Sequence, residues 1–408
     1  MFAQLANLPS SIKQYLIITG NYWAFTLTDG ALRMLVVLYF HQLGYGAFAI
    51  AMLFLFYEIF GVITNLVGGW LGAYLGLNKT MNVGLGLQLV ALAMLCVPGD
   101  WLTVAYVMAA QALSGIAKDL NKMSAKSAIK YLVPQDDAGQ SQLYKWIAIL
   151  TGSKNALKGV GFFLGGLLLT VFGFVGALVS LIALLSVAWV ISLIFLKGDI
   201  GKAKNKPKFK ELFSKSRAIN LLSAARLCLF AARDVWFVVA LPVYLAAQFN
   251  WDHWWVSGFM ALWVIAYGLV QSQAPRITGQ SDSNSHSVKK AYWWVALLSG
   301  VTGILALLMQ FDIAIHFTLV IGLLIFGGVF AVNSSLHSYL IVSFAKNDGV
   351  SLDVGFYYMA NAIGRLLGTV LSGWVFQIYG LVACLWVSVC LLIAATLITF
   401  FLNRIRLN

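Results

Sequence analysis

The chain has 408 residues, of which 61% are hydrophobic and 10% charged, and its formal net charge is +13. Soluble domains carry about 25% charged residues, so neither a water-soluble globular protein nor a disordered chain fits. A transmembrane helix needs roughly 20 apolar residues, and a chain of this length holds about twelve with short connections. The opening segment MFAQLANLPSSIKQYL lacks a basic stretch, an apolar core and a small-residue cleavage site, so no cleaved signal peptide is expected. Cys96, Cys228, Cys384 and Cys390 are scattered through apolar stretches and form no CxxC pair. They read as buried small side chains, with no disulfide framework and no metal site expected.

In chain order, apolar runs at 15–40, 47–73, 80–98, 102–131, 143–171 and 174–196 predict spans 1 to 6. Runs at 218–247, 254–274, 291–310, 313–344, 353–377 and 380–402 predict spans 7 to 12. Spans 4, 5 and 7 carry several charges, but the flanking turns leave no other place for them. Span 1 holds Asp29 and, one turn on, Arg33; span 2 holds Glu58. Span 4 contains KDLNKMSAKSAIK, in which Lys118, Lys122 and Lys126 recur every four residues, with Asp119 beside the first. Each such step climbs about 6 Å and turns about 40°, so the three form a shallow spiral that Lys130 extends to the helix end, where it is free to snorkel. Span 5 places Lys154 and Lys158 one turn apart beside Ser153 and Asn155.

The polar stretch 197–217 carries eight basic and two acidic residues and reads as a basic cytoplasmic linker between an N-terminal six-helix half, 1–196, and a C-terminal half, 218–408. It has few interleaved aromatics, so no nucleic-acid partner is expected. Span 7 then carries Arg226, Arg233 and Asp234; span 10 carries Asn333, Ser334, Ser335 and His337; span 11 carries Asn361 and Arg365. Of the 27 Lys and Arg residues, 18 fall in the loops on one side or at the adjoining helix ends, nine fall within spans, and none falls in a loop on the other side. The positive-inside rule therefore predicts two cytoplasmic termini and an even number of spans.

Weak internal matches support the two halves. Asp29/Tyr39 return as Asp234/Tyr244, NAL at 155–157 returns as NAI at 361–363, and Gly61 returns as Gly268, at offsets of 205 to 207. The predicted fold is an all-α polytopic membrane protein of twelve transmembrane helices in two six-helix halves, similar to the major facilitator superfamily. That superfamily's loop signature survives only in part in GGWLGAYLG at 68–76: Gly69, Leu71 and Gly76 fit, while Ala73 and Tyr74 stand at the acidic and basic positions. On span 5, Gly161, Gly165 and Gly166 fit the glycine pattern of its antiporters, with Phe162 in place of proline.

A charge at a helix centre costs about 2.5–3.5 kcal/mol on insertion scales. Nine cations lie within spans (Arg33, Lys118, Lys122, Lys126, Lys154, Lys158, Arg226, Arg233 and Arg365) against four acids (Asp29, Glu58, Asp119 and Asp234). Asp29–Arg33, Asp119–Lys122 and Arg233–Asp234 are the ion pairs that spacing offers. Even with every acid paired, five positive charges remain, and an anionic ligand or water must answer them. The nine cations, with Asn155 and Asn361, are the candidate substrate-binding set; the four acids are candidates for structural pairing, gating or proton coupling. His337 reads more readily as a packed histidine than as a ligand contact. Guanidinium forks and lysine point charges suit a small, multiply charged oxyanion. No Walker loop, catalytic constellation or cofactor motif is present, so no enzymatic activity and no cofactor are expected.

Four segments carry a more specific resemblance: GNYWAFTLTDGALRMLVVLYFHQLGY (20–45), LSGIAKDLNKMSAKSAIK (113–130), GSKNALKGVGFFLGG (152–166) and FSKSRAINLLSAARLCLFAARDVWFVVALPV (213–243). They resemble the ArsJ-type organoarsenical efflux permeases, bacterial inner-membrane members of that superfamily. The resemblance implies a cargo of 1-arseno-3-phosphoglycerate, made from arsenate and glyceraldehyde 3-phosphate by a glyceraldehyde-3-phosphate dehydrogenase, which would be the functional partner. It implies arsenate resistance by efflux; the basic charge distribution points to membrane lipid as the surroundings, and a monomer is expected. An organophosphate/phosphate antiporter would use a similar set of cations, and so would a non-transporting anion receptor on a transporter fold.

Overall fold

The computed structural model describes residues 9–44, 53–134, 137–196, 200–203, 215–251, 253–279 and 284–405. Most of the basic stretch 197–217, the turn around 45–47 and the first residues of the second predicted span lie outside these. Among the described residues the regular structure is helical throughout, with a short 3-10 turn at Gly99–Trp101. Spans 1 to 4 are the helices Ser10–Gln42, Leu55–Leu75, Leu77–Met94 and Val104–Leu132. Spans 5 and 6 run as Asp137–Phe195 and spans 11 and 12 as Val350–Arg404, each broken by a glycine. Gly173 (φ 69°) and Gly380 (φ 78°) adopt the left-handed conformation that a side chain disfavours, and each separates two helices at a kink with no intervening loop. Spans 8, 9 and 10 are His253–Thr278, Asn284–Gln310 and Ile315–Phe344.

Local chemistry sets the helix starts. The Thr103 hydroxyl accepts from Tyr106 N–H at 3.4 Å, and the Ser216 hydroxyl accepts from Ile219 N–H at 3.3 Å, each capping a first turn that has no intrahelical acceptor. Span 7 is split into Arg217–Phe237 and Ala240–Gln248. The break frees backbone donors inside an apolar layer, where each unpaired group is costly. The Ser372 hydroxyl on span 11 accepts from both Val239 N–H (3.3 Å) and Ala240 N–H (3.1 Å).

Seven of the described helices, two of them double, are long and apolar enough to cross a membrane. Spans 3, 4 and 8 complete the set; span 4 falls short on composition because of its lysines. Val83 and Val90 on span 3, Val179 and Val187 on span 6, Leu297 and Ile304 on span 9, and Leu397 and Phe401 on span 12 are all exposed. In a bilayer these are the faces that lipid solvates.

The chain folds into two compact units. Unit 1 comprises 1–135, 153–214 and 345–359; unit 2 comprises 136–152, 215–344 and 360–408. The start of span 5 thus packs within unit 2 and the start of span 11 within unit 1. Glycine makes both insertions close. In unit 1 a Cβ on Gly355 would lie 2.5 Å from Asn65 O and 2.8 Å from Gly69 Cα. In unit 2 a Cβ on Gly152 would meet Gly268 O and the Ser272 hydroxyl.

These contacts correct the register of the internal repeat. Gly152 corresponds to Gly355, Asn65 to Gly268 and Gly69 to Ser272, each pair 203 residues apart. Gly161 and Gly165 pack on Leu27 and Ala31 of span 1, as Gly364 and Gly368 pack on Leu227 and Ala231 of span 7. The glycine pairs there are again 203 apart, and their partners 200. The sequence matches at 205 to 207 are therefore not equivalent positions: Gly268 answers Asn65 instead of Gly61, and the counterpart of Asn155 is Tyr358.

Candidate functional site

Each unit holds its own cluster of charged side chains. In unit 1, span 4 supplies Asp119, which is 1% exposed and lies between two lysines of its own helix. Lys122 Nζ donates to its Oδ1 at 2.5 Å, and Lys118 Nζ stands 3.9 Å from Oδ2. Lys118 also sits 3.7 Å above the Tyr57 ring on span 2, and the Arg33 guanidinium lies over the same ring at 4.8 Å. The ring quadrupole attracts both cations. The Tyr57 hydroxyl donates to Asp29 Oδ1 at 2.7 Å, and Arg33 pairs with Glu58 at 3.2 Å. Arg33 thus reaches across to span 2 for its carboxylate, and Asp29 takes a neutral donor.

The lysine spiral divides along its length. Lys122 and Lys126 each lie 4.7 Å from the centre of the Tyr358 ring, at the start of span 11, and Lys126 Nζ donates to the Tyr358 hydroxyl. Lys130 is buried and donates to Ala345 O, so it does not snorkel as its place near the helix end predicts. On span 5, Lys154 Nζ donates to Asn155 Oδ1 at 3.4 Å, and Lys158, one turn on, is likewise half-buried. The carbonyl of Lys158 faces Gly30 of span 1, where a Cβ would come within 2.9 Å of it.

In unit 2, Arg226 is 3% exposed, donates through Nε to Asn361 Oδ1 at 2.9 Å and through Nη1 to Ser334 O at 3.3 Å, and stacks over Phe230 at 3.9 Å. One helical turn before Phe230 lies Arg226, and almost one turn after it lies Arg233, 4.8 Å above the same ring. Arg233 binds Asp234 through two nitrogens, at 2.6 and 2.5 Å, and Arg365 approaches the other oxygen of Asp234 at 3.5 Å. Asp234 therefore serves two guanidinium groups, as Asp119 serves two ammonium groups.

Of the ion pairs that spacing offers, Asp119–Lys122 and Arg233–Asp234 form; Asp29–Arg33 gives way to Arg33–Glu58. Unit 1 brings together Asp29, Arg33, Glu58, Lys118, Asp119, Lys122 and Lys126 through Tyr57 and Tyr358; unit 2 brings together Arg226, Arg233, Asp234, Asn361 and Arg365 around Phe230. Lys154, Asn155 and Lys158 stand on one face of span 5. Sequence reasoning missed Tyr57, Tyr358 and Phe230. Only Phe230 carried a usable signal, its helical spacing from two arginines. Among the described residues no group of three or more His, Cys, Asp or Glu is placed to hold a metal ion.

The family profile described as Major Facilitator Superfamily matches residues 18–280. No curated protein matches the sequence. Solved structures share the fold at low identity. A bacterial homologue of the iron transporter ferroportin in its outward-facing state superposes with a TM-score of 0.76 at 13% identity, covering 97% of this chain and 99% of that one. The human organic anion transporter MFSD10 (TETRAN) gives 0.74 at 15%, covering 96% and 100%. The E. coli fucose:proton symporter FucP gives 0.72 at 12%, covering 97% and 99%.

Proposed function

Because the chain belongs to the major facilitator superfamily, we propose that this membrane-spanning transporter exports a small polyanionic organoarsenical, 1-arseno-3-phosphoglycerate, by alternating access. On this reading it lies in a bacterial inner membrane with both termini in the cytoplasm. It extrudes the product of a glyceraldehyde-3-phosphate dehydrogenase and so protects the cell from arsenate. The observation that carries the proposal is the excess of nine in-span cations over four carboxylates. Two of those carboxylates are already shared: Asp119 by Lys118 and Lys122, and Asp234 by Arg233 and Arg365. A neutral sugar or an apolar drug needs no such surplus, whereas arsenate and phosphate groups on one short carbon chain do. Glu58, Asp119 and Asp234 pair cations when no anion is bound, and together with Asp29 they are the groups available for proton coupling or gating.

The energetics favour the direction. An inside-negative potential drives anions outward by about 2.3 kcal/mol per charge per 100 mV, so uniport and proton antiport both suffice for export. The test is to replace Lys118 and Lys122 singly by Gln and to measure arsenate sensitivity in cells that also make the dehydrogenase. Loss of resistance at normal expression is expected for each. Full resistance would remove these lysines from the site, and full resistance in cells lacking the dehydrogenase would remove the organoarsenical as cargo.

A further inference from the structure

Span 10 carries polar side chains in unit 2 that the charge argument does not use. Asn333 is 0% exposed and His337 1% exposed. They stand four residues apart and so share one helix face. Among the described residues, neither amide atom of Asn333 and neither ring nitrogen of His337 has a hydrogen-bond partner. An unsatisfied buried polar group costs about 1–3 kcal/mol, and buried polar atoms in proteins nearly always find partners. Four such atoms on one face of one helix call for an occupant that can both donate and accept.

The neighbours give the occupant its charge. Ser334, next to Asn333, receives Arg226 on its carbonyl at 3.3 Å and Gln271 on its hydroxyl at 3.1 Å. Arg226 in turn holds Asn361 at 2.9 Å and acts electrostatically on His337. A guanidinium thus sits on the carbonyl of Ser334, which lies between Asn333 and His337 along the helix, and the amide of Asn333 and the imidazole of His337 are neutral groups with donor and acceptor character. A carbon-bound hydroxyl is the small group that matches both, since it donates once and accepts twice.

We propose that Asn333 and His337 on span 10, together with Arg226, form a binding site in unit 2 for an alcohol-bearing oxyanion, in which Arg226 takes the anionic oxygens and Asn333 and His337 bind the hydroxyl. This deepens the anion-transport reading and rests on it. His337 and Asn333 are the specificity-determining residues: they reject anions of equal charge that lack the alcohol, because such a ligand leaves their polar atoms buried and unmatched.

The test measures binding to the purified full-length protein by calorimetry. The probes are 3-phosphoglycerate, its deoxy counterpart 3-phosphonooxypropanoate, which has the same charged groups and no alcohol, and inorganic phosphate. The wild-type protein is expected to bind 3-phosphoglycerate about tenfold more tightly than the deoxy compound, the loss of one well-made hydrogen bond. In His337→Ala and Asn333→Ala the two ligands should bind within about twofold of each other, while His337→Gln, which keeps a donor and an acceptor, should retain most of the preference. Equal wild-type affinity for both compounds overturns this inference and leaves anion transport standing. Binding of none of the three probes overturns the anion reading along with it. The wild-type comparison decides the matter even where a variant does not fold.

Discussion

Replacing Asp119 by Asn tests the charge argument at its tightest point. The carboxylate lies 2.5 Å from Lys122 and 3.9 Å from Lys118, and is 1% exposed. At an effective dielectric constant of about 20 these separations correspond to attractions of about 7 and 4 kcal/mol, most of which offsets the cost of taking three charges out of water. Removing one partner from such a buried group costs about 3–5 kcal/mol, because the remaining charges stay desolvated and uncancelled. For a unit of about 200 residues, at about 2 °C per kcal/mol, the melting temperature of the purified protein should fall by about 6–10 °C. The same variant should gain stability on adding millimolar phosphate or 3-phosphoglycerate, because an anion then supplies the missing charge and binding adds stability by mass action. Chloride at matched ionic strength should do much less. A melting temperature unchanged from wild type would refute the claim that Asp119 balances the two lysines. Equal recovery with chloride and with phosphate would reduce the effect to screening and sink the idea of an oxyanion site beside Lys118 and Lys122.

Other substitutions probe the remaining contacts. Tyr57→Phe keeps the ring beneath Lys118 and Arg33 but removes the donor to Asp29, so it should cost about 1.5–3 kcal/mol in thermal stability and reduce transport; stability equal to wild type would show that this hydrogen bond contributes nothing. Arg233→Ala should destabilise more than Arg365→Ala in the same melting assay, since Arg233 reaches Asp234 at 2.5 Å and is 15% exposed while Arg365 reaches it at 3.5 Å and is 34% exposed. Gly165→Ala should lower the yield of monodisperse protein in size-exclusion chromatography, because its Cβ would lie 2.5 Å from Ala31 O, whereas Gly300→Ala, with nothing within 4 Å, should not.

Much of the fold was legible because a bilayer leaves few alternatives: a run of about 20 apolar residues in lipid must be helical. The break at Gly173 falls between the predicted spans 5 and 6, and the break at Gly380 falls at the predicted start of span 12. The cations were legible for the same reason, since charge inside a span is costly enough to stand out. Partners were harder. Asp29 and Arg33 are spaced to pair along one helix, yet Arg33 reaches Glu58 and Asp29 receives Tyr57, because side chains of span 2 come within reach of both and compete with the local turn. Tyr57 and Tyr358 were illegible in a chain where 14% of residues are aromatic, since one tyrosine beside a charge looks like many others. The repeat register was misread because short identities drift by a few residues, whereas the glycine contacts that fix it depend on backbone approach.

The split in span 7 has a mechanical consequence. Two amide groups that an unbroken helix would tie to its own backbone rest instead on one oxygen, the Ser372 hydroxyl of the neighbouring span. An oxygen on a rotatable bond can follow those donors through small changes of angle, so the segment Ala240–Gln248 can tilt against Arg217–Phe237 without stranding a donor in hydrocarbon. Span 7 thereby gains an elbow at Val238–Val239, just beyond Asp234 and its two arginines, and span 11 serves as its bearing.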